Sequence, residues 1–280
     1  MYIYDGAKLA GLGAANVLLD VIDLAGGTAS LCMSATGANP VRPHMLFFNT
    51  EQTHAVLSFV ASGHVVIFDA ATRSPVSCIR TSVGAGGSRQ AHAASPSPDS
   101  SYILVANQNG KLLERIDTTY STNTFSLNAA ATLDLVACVT PNGVACQLAG
   151  VRPDNAPICP IVDSSSNLGF VTLRGGGLFV VDPKATPMTI QGEYDMATVH
   201  PNGCGATQAA GRMFINSGGG TAANLAEFDV YAFPLSGYSA ANPPNTPAPA
   251  LIFSDDVGDR DSHGSNGHQG RALLVGGGSA

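Results

Sequence analysis

The sequence lacks several features that mark common classes of protein. No stretch approaches the roughly 18 consecutive apolar residues of a membrane-spanning helix, so we expect no membrane partner. Lys and Arg number only 13, they form no basic stripe, and the net charge of −7 argues against a nucleic-acid partner. Tryptophan is absent, which argues against a carbohydrate-binding protein. The pattern Gly-x-Ser-x-Gly is absent as well, which disfavours an α/β-hydrolase.

Helical periodicity is also scarce, and strand-like patterns take its place. The apolar runs are short, rich in Val, Ile, Leu and Phe, and end at Gly, Asn, Asp, Ser or Pro. Glycine, at 32 residues, and proline, at 17, supply frequent turns. The chain is therefore predicted to be all-β, and 280 residues fit one all-β domain.

One short unit recurs along the chain. Residues 97–117 contain a turn, a strand, an Asn-Gly hairpin turn and a second strand. The same order returns in three further segments and begins once more near the C-terminus, at residues 54–69, 169–182, 212–233 and 271–278. Five copies of a strand–turn–strand unit indicate the blades of a β-propeller.

The fifth copy stops at its turn, because the sequence ends at Ala280. The segment Met1–Asp5 has the same form as Val65–Asp69 and can supply the missing strand, with residues 17–22 as the outer strand. We therefore predict a five-bladed β-propeller that spans residues 1–280 as a single domain. Pairing of the N-terminal strand near Tyr2–Tyr4 with residues 272–275 of the C-terminal blade would close the ring and remove exposed edge strands.

The segment Ser97–Asp117 resembles the repeat of the YVTN, or lactonase-like and quinoprotein-like, β-propeller superfamily. The likeness extends loosely over the whole chain and implies the propeller architecture. That superfamily contains lactonases, metal-dependent oxidases, binding proteins and scaffolds, so the resemblance implies no single chemistry.

Four of the seven histidines precede the repeated unit of four different blades, namely His44, His92, His200 and His263. We expect them on or next to the innermost strands, which line the propeller axis. One imidazole from each blade could then bind a shared transition-metal ion, with copper or iron favoured and zinc or nickel as alternatives. The arrangement resembles, in its logic only, the propeller dioxygenases that hold iron with four histidines on separate blades. Two other interpretations remain, a polar lining without metal and a metal-free catalytic histidine.

The other three histidines receive separate predictions. His268 is the candidate catalytic base near the same end of the propeller, or a substitute for His263. His54 begins a strand and His64 follows a hairpin turn, so both are predicted to be exposed and structural.

The six cysteines allow a prediction about the compartment. Cys138 and Cys146 flank the turn at residues 141–143 and could close a small disulfide-bonded loop. Such a bond would favour a periplasmic or secreted protein, whereas the alternative is a set of free buried thiols.

The histidine set favours a metal-dependent enzyme, an oxidoreductase, that acts on a small-molecule substrate. A lactonase-type hydrolase is the first alternative, and it would use a divalent ion such as Ca²⁺ held by carboxylates. A propeller that only binds or scaffolds other molecules is the second alternative.

Overall fold

A computed structural model describes residues 1–8, 16–24, 29–218, 228–255, 264–268 and 271–275. These residues form five β-sheets, whose strands pair antiparallel except at one parallel bridge. They also form one short α-helix, α1 (Ala29–Thr36), and one turn of 3-10 helix at Tyr120–Thr122. The prediction of an all-β propeller is confirmed in its architecture. The described part of the chain contains no helix with the length and apolar character needed to cross a membrane.

Four sheets contain the repeated blades, which we number I to IV in chain order. Blades I and II consist of β3 (Pro43–Phe48), β4 (His54–Phe59), β5 (His64–Asp69), β6 (Ser74–Arg80), β7 (Ala91–Pro96), β8 (Tyr102–Asn107), β9 (Leu112–Thr119) and β10 (Thr124–Asp134). Blades III and IV consist of β11 (Pro157–Val162), β12 (Gly169–Leu173), β13 (Leu178–Asp182), β14 (Thr189–Tyr194), β15 (Ala206–Ala209), β16 (Arg212–Gly218), β17 (Phe228–Pro234) and β18 (Ala250–Asp255).

Each blade is an antiparallel meander, and short turns join the second and third strands of blades I to III. The turn between β4 and β5 uses Gly63 at φ +69°, and the turn between β12 and β13 uses Gly176 at φ +90°. These are left-handed conformations that glycine adopts without steric cost. In blade II the positive φ falls on Lys111, at +53°, and not on the Asn-Gly pair that precedes it.

The hydrophobic core lies between successive blades, as in stacked sheets. Blades I and II share one apolar cluster that includes Val65 and Ile103. Blades II and III share another, with Leu104 against Phe179, and blades III and IV share a third, with Phe170 against Phe233. The blades are therefore fixed side by side, which holds the beginnings of their first strands at one end of the axis.

The terminal strands do not show the predicted closure. β1 (Tyr2–Tyr4) pairs with β2 (Leu18–Val21), and β20 (Arg271–Val275) pairs with β19 (Gly264–His268). β19 in turn joins blade IV through one parallel bridge to β15. In both cases a strand pairs with its near neighbour in the chain, which closes a much shorter loop than pairing across the whole sequence.

Three disulfides include all six cysteines of the chain, Cys32–Cys78, Cys138–Cys146 and Cys159–Cys204. The prediction for Cys138 and Cys146 is confirmed. The first disulfide fastens α1 to β6, and the third fastens the first strand of blade III to the segment that enters blade IV.

The predictions that His54 and His64 are exposed were wrong, because both side chains are buried. Residues that begin a strand are often solvated, but here the neighbouring segments cover them. His54 contacts the rings of Tyr120 and Phe125, and its Nε2 lies 2.7 Å from Oδ1 of Asn123. Both histidines have structural hydrogen bonds, as expected.

His64 is predicted to make the protein sensitive to mild acid. Its Nδ1 lies 2.9 Å from Oγ of Ser62, and its Nε2 lies 2.9 Å from Oγ1 of Thr36. Burial, with repulsion from Arg80 and Arg89, lowers the pKa of His64 to about 4. Between pH about 6.5 and about 4 the unfolded chain therefore binds a proton that the folded chain does not. The unfolding free energy should fall by as much as about 3 kcal/mol across this range.

Urea unfolding at several pH values measures this effect. His64→Gln replaces the imidazole with an amide that can form hydrogen bonds in the same pocket. The variant no longer has a group at this position that takes up a proton between pH about 6.5 and about 4. Its unfolding free energy should depend less steeply on pH between 6.5 and 4 than that of the wild type. Parallel pH profiles for the two proteins would contradict the prediction.

Candidate functional site

The first strands of blades I to III, and the segment that enters blade IV, bring one side chain each to a common point. These side chains are Met45, His92, Cys159 and Cys204, which we call the axial cluster. Sδ of Met45 lies 3.8 Å from Sγ of Cys159 and 4.0 Å from Sγ of Cys204. The ligand atoms of His92 and the two cysteines all lie within 4.8 Å of one another. The axial cluster is thus a compact group of three sulfur atoms and one imidazole.

The axial cluster lies in an apolar environment. Ala93 and Ile158 are buried against it, and Phe47 packs against the same group. His92 and Cys159 are themselves buried. The thiol sulfurs are bonded to each other as the Cys159–Cys204 disulfide.

Two of the four predicted metal ligands lie in or beside this cluster, namely His92 and His44. The rings of His44 and His92 lie 4.4 Å apart, and Nδ1 of His44 lies 2.9 Å from the backbone oxygen of His92. Among the described residues, the group of three potential ligands within 4.8 Å contains His92 but neither His44 nor His200. His263 lies outside the described residues, as does the side chain of His268. The metal-binding role of the four histidines and the catalytic role of His268 therefore stay predictions.

His200 makes a different contact, with a buried carboxylate. Its Nδ1 lies 2.5 Å from Oδ2 of Asp229, and its side chain is 30% exposed whereas that of Asp229 is 1% exposed. Tyr231 donates a hydrogen bond of 2.9 Å from its hydroxyl to the same Oδ2. Oδ1 of Asp229 has no hydrogen-bond partner in the described part of the chain. Burial raises the pKa of Tyr231, so its hydroxyl keeps its proton and remains a donor.

The segment that carries His200 is fixed to the blades beneath it. The backbone N–H of Gly205 donates to Oδ1 of Asn216 at 2.6 Å, and Oγ1 of Thr172 donates to the carbonyl oxygen of Gly203. A Cβ at Gly203 would stand 2.0 Å from the carbonyl oxygen of Asn216, so only glycine fits there. These contacts hold His200 and Cys204 near the same end of the axis.

Topology places the pair and the axial cluster at one end of the molecule. Asp229 lies at the start of β17, opposite Ser217 near the end of β16, while Ala206 begins β15 opposite Ile215. Within a blade, the first and third strands therefore begin at the same edge of the sheet at which the second strand ends. An acid–base pair and a sulfur-rich cluster thus share the end that receives the long connections between blades.

Sequence reasoning identified His200 but missed Asp229. A signal was present, because Asp229 lies among apolar residues in a strand, where an ionised side chain is rare unless it is paired. The pairing itself joins residues 29 positions apart and has no local pattern.

Comparison with known proteins identifies the fold. No family model matches the sequence, and no curated protein matches it. A proposed 6-phosphogluconolactonase from Bacteroides uniformis matches with a TM-score of 0.59 and 9% identity over 92% of this chain and 66% of its own. A second proposed 6-phosphogluconolactonase, from Bacteroides fragilis, matches with a TM-score of 0.55 and 10% identity over 93% of this chain and 65% of its own. A protein from Lactobacillus plantarum matches with a TM-score of 0.53 and 14% identity over 77% of this chain and 55% of its own.

This chain therefore spans less than two thirds of the length of the solved structures that it matches. Two of those structures are named for a lactonase, and none of the three is named for a redox enzyme. The prediction of an oxidoreductase that uses copper or iron was wrong, because the two neighbours that are named for an activity are named for a lactonase. Metal binding by the four histidines stays a prediction. The lactonase alternative agrees better with these neighbours. The chain therefore has a β-propeller fold, as these solved structures do.

Proposed function

We propose that this protein is a lactonase-type hydrolase that opens a small cyclic ester, with His200 as its general base. The observation that carries the proposal is the hydrogen bond between Nδ1 of His200 and the buried carboxylate of Asp229. A carboxylate in this position fixes the tautomer of the ring and stabilises the imidazolium that forms during proton transfer. The lactonase names of the structural neighbours support the substrate class.

The chemistry needs one water molecule and one proton carrier. Nε2 of His200 takes a proton from water while the water oxygen bonds to the lactone carbonyl carbon. The ring C–O bond of the tetrahedral intermediate then breaks. The departing oxygen receives the proton back from Nε2, which yields a hydroxy acid and restores neutral His200. Asp229 acts on the reaction through its hydrogen bond to Nδ1, which orients His200.

A panel of γ-, δ- and sugar lactones tests the proposal by pH-stat titration of the acid released. The wild-type protein should open at least one of them faster than His200→Ala does. The proposal is overturned if every lactone is opened at equal rates by the two proteins, provided that both remain folded by circular dichroism.

We further propose that the ring has five blades, that it spans residues 1–280 as one domain, and that β1 pairs with β20. The support is the β1–β2 sheet beside blade I, which has two strands where the blades have four. The first strands of blades II and III are largely buried, but β3 leaves Leu46 38% and Phe48 52% exposed. A cleft lined by apolar residues separates β3 from the two-stranded β1–β2 sheet. Two more strands on that sheet would cover the exposed side chains.

Paired cysteine substitutions test the closure. Ile3→Cys with Leu273→Cys should produce a new disulfide-linked peptide pair in non-reducing mass spectrometry. The pair Ala206→Cys with Asn266→Cys tests the competing parallel contact between β15 and β19. A crosslink in the second pair and none in the first would contradict the closed ring.

The proposed compartment is the periplasm or the outside of the cell. Three disulfides support this proposal, since such bonds persist in oxidising compartments. The proposed substrate class is a small molecule, as for the neighbours named as lactonases.

A further inference from the structure

We propose that the reduced form of this protein binds one zinc ion through Cys159, Cys204 and His92. The site is independent of the proposed hydrolysis, because it uses neither His200 nor Asp229. In the oxidised protein the two sulfurs are bonded to each other, so the disulfide and the metal exclude one another.

The three ligand atoms lie close enough to share a single ion once the Cys159–Cys204 bond is reduced. They lie within 4.8 Å of one another. Zinc binds thiolate sulfur at about 2.3 Å and imidazole nitrogen at about 2.0–2.1 Å, so two ligands of one tetrahedral ion stand about 3.5–3.8 Å apart. Only small side-chain movements separate the present arrangement from that geometry. Sδ of Met45, 3.8 Å and 4.0 Å from the two sulfurs, is a further soft donor within reach.

The surroundings favour a metal over two free thiols. His92 and Cys159 are buried and Cys204 is half-buried, next to Ala93, Ile158 and Phe47, so few water molecules compete for the ion. His92 belongs to blade II, Cys159 belongs to blade III, and Cys204 lies at the entrance of blade IV. Because packed sheets fix these three positions, metal binding requires little reorganisation of the backbone.

The interconversion balances in electrons and protons. A phosphine or dithiol reductant gives two electrons and the solvent gives two protons, which cleave the Cys159–Cys204 bond into two thiols. Zinc then displaces both thiol protons and bonds to the two thiolates and to neutral imidazole. An oxidising disulfide compound takes the two electrons back, rejoins the sulfurs and releases the ion.

Zinc binding to the whole protein tests the proposal. Protein reduced with a phosphine that binds zinc weakly is dialysed against ZnCl₂, and the metal is counted by mass spectrometry. We expect one zinc per reduced chain and none per oxidised chain. Replacement of zinc with Co²⁺ should add a thiolate-to-cobalt absorption band. Cys159→Ser should abolish both signals, and His92→Gln should weaken zinc binding by more than about 10-fold, the lower bound for loss of an outer-shell partner.

The matched control is Cys138→Ser, which opens a disulfide outside the axial cluster and should leave one zinc bound. The proposal is overturned if the reduced wild type binds no zinc, or if Cys159→Ser binds as much as the wild type. Should reduction unfold the chain, zinc is expected to restore the β-sheet circular dichroism of the wild type and not that of Cys159→Ser. Absence of that restoration likewise overturns the proposal.

Discussion

Replacing His200 with alanine is expected to lower kcat/KM for lactone opening by about 10²- to 10⁴-fold, the usual contribution of a positioned general base. The reason is the loss of the group that removes a proton from the attacking water. Asp229 then retains the hydrogen bond that the hydroxyl of Tyr231 donates at 2.9 Å. The comparison is made with the fastest substrate of the lactone panel, at saturating and at limiting concentrations.

Asp229→Asn tests whether the carboxylate acts through His200. An asparagine amide can donate to Nδ1, which would favour the tautomer that carries its proton on Nε2, and this tautomer cannot accept a proton from water there. We expect kcat to fall strongly while KM changes little. Asp182→Asn is the matched control, since Asp182 only accepts backbone hydrogen bonds in the turn after β13. Equal losses in the two asparagine variants would argue for a merely structural effect.

Replacing Arg152 with methionine is expected to destabilise the protein by about 3–5 kcal/mol, as is usual when one partner of a buried ion pair is removed. Arg152 is 1% exposed and lies 3.0 Å from Oε2 of Glu193. Its Nε donates to the carbonyl oxygen of Cys146 at 3.0 Å, and its guanidinium lies 5.1 Å from the ring centre of Phe179. Methionine fills much of the volume but leaves the Glu193 carboxylate without its cation. Urea unfolding measures the loss.

A second substitution separates charge from packing. Adding Glu193→Gln to Arg152→Met removes the uncompensated charge, so the double variant should recover much of the lost unfolding free energy. If the double variant is as unstable as the sum of the single variants, the ion pair contributes little. In that case the hydrogen bond to Cys146 and the contact with Phe179 account for the role of Arg152.

Local patterns were sufficient to predict the blades. The units predicted at residues 54–69, 169–182 and 271–278 contain strands at 54–59, 64–69, 169–173, 178–182 and 271–275. Residues 54–59 and 169–173 are buried along their whole length, because side chains on both faces of the sheet pack against neighbouring segments. Local patterns do not settle ring closure, because a pairing of β1 with β20 would depend on contacts between residues at opposite ends of the sequence.

The site was predictable only in outline. One side chain from each blade does reach the axial cluster, but in blade I it is Met45, the residue after the predicted His44. Successive residues of a strand face opposite sides, so an error of one residue exchanges a lining side chain for a packed one. The number of residues between a histidine and its hairpin turn does not fix the strand register to one residue when the connections within and between blades differ in length.

The longer disulfides also act on the denatured chain. Cys32 and Cys78 are 46 residues apart in the sequence, and Cys159 and Cys204 are 45 residues apart. Cys138 and Cys146 are only 8 residues apart. In the chain-entropy description each long crosslink disfavours the denatured ensemble by about 4 kcal/mol, and the short one by about 2.5 kcal/mol. The denatured chain is thus already folded back where blade III meets blade IV, so refolding begins with the start of β11 tethered near the start of β15.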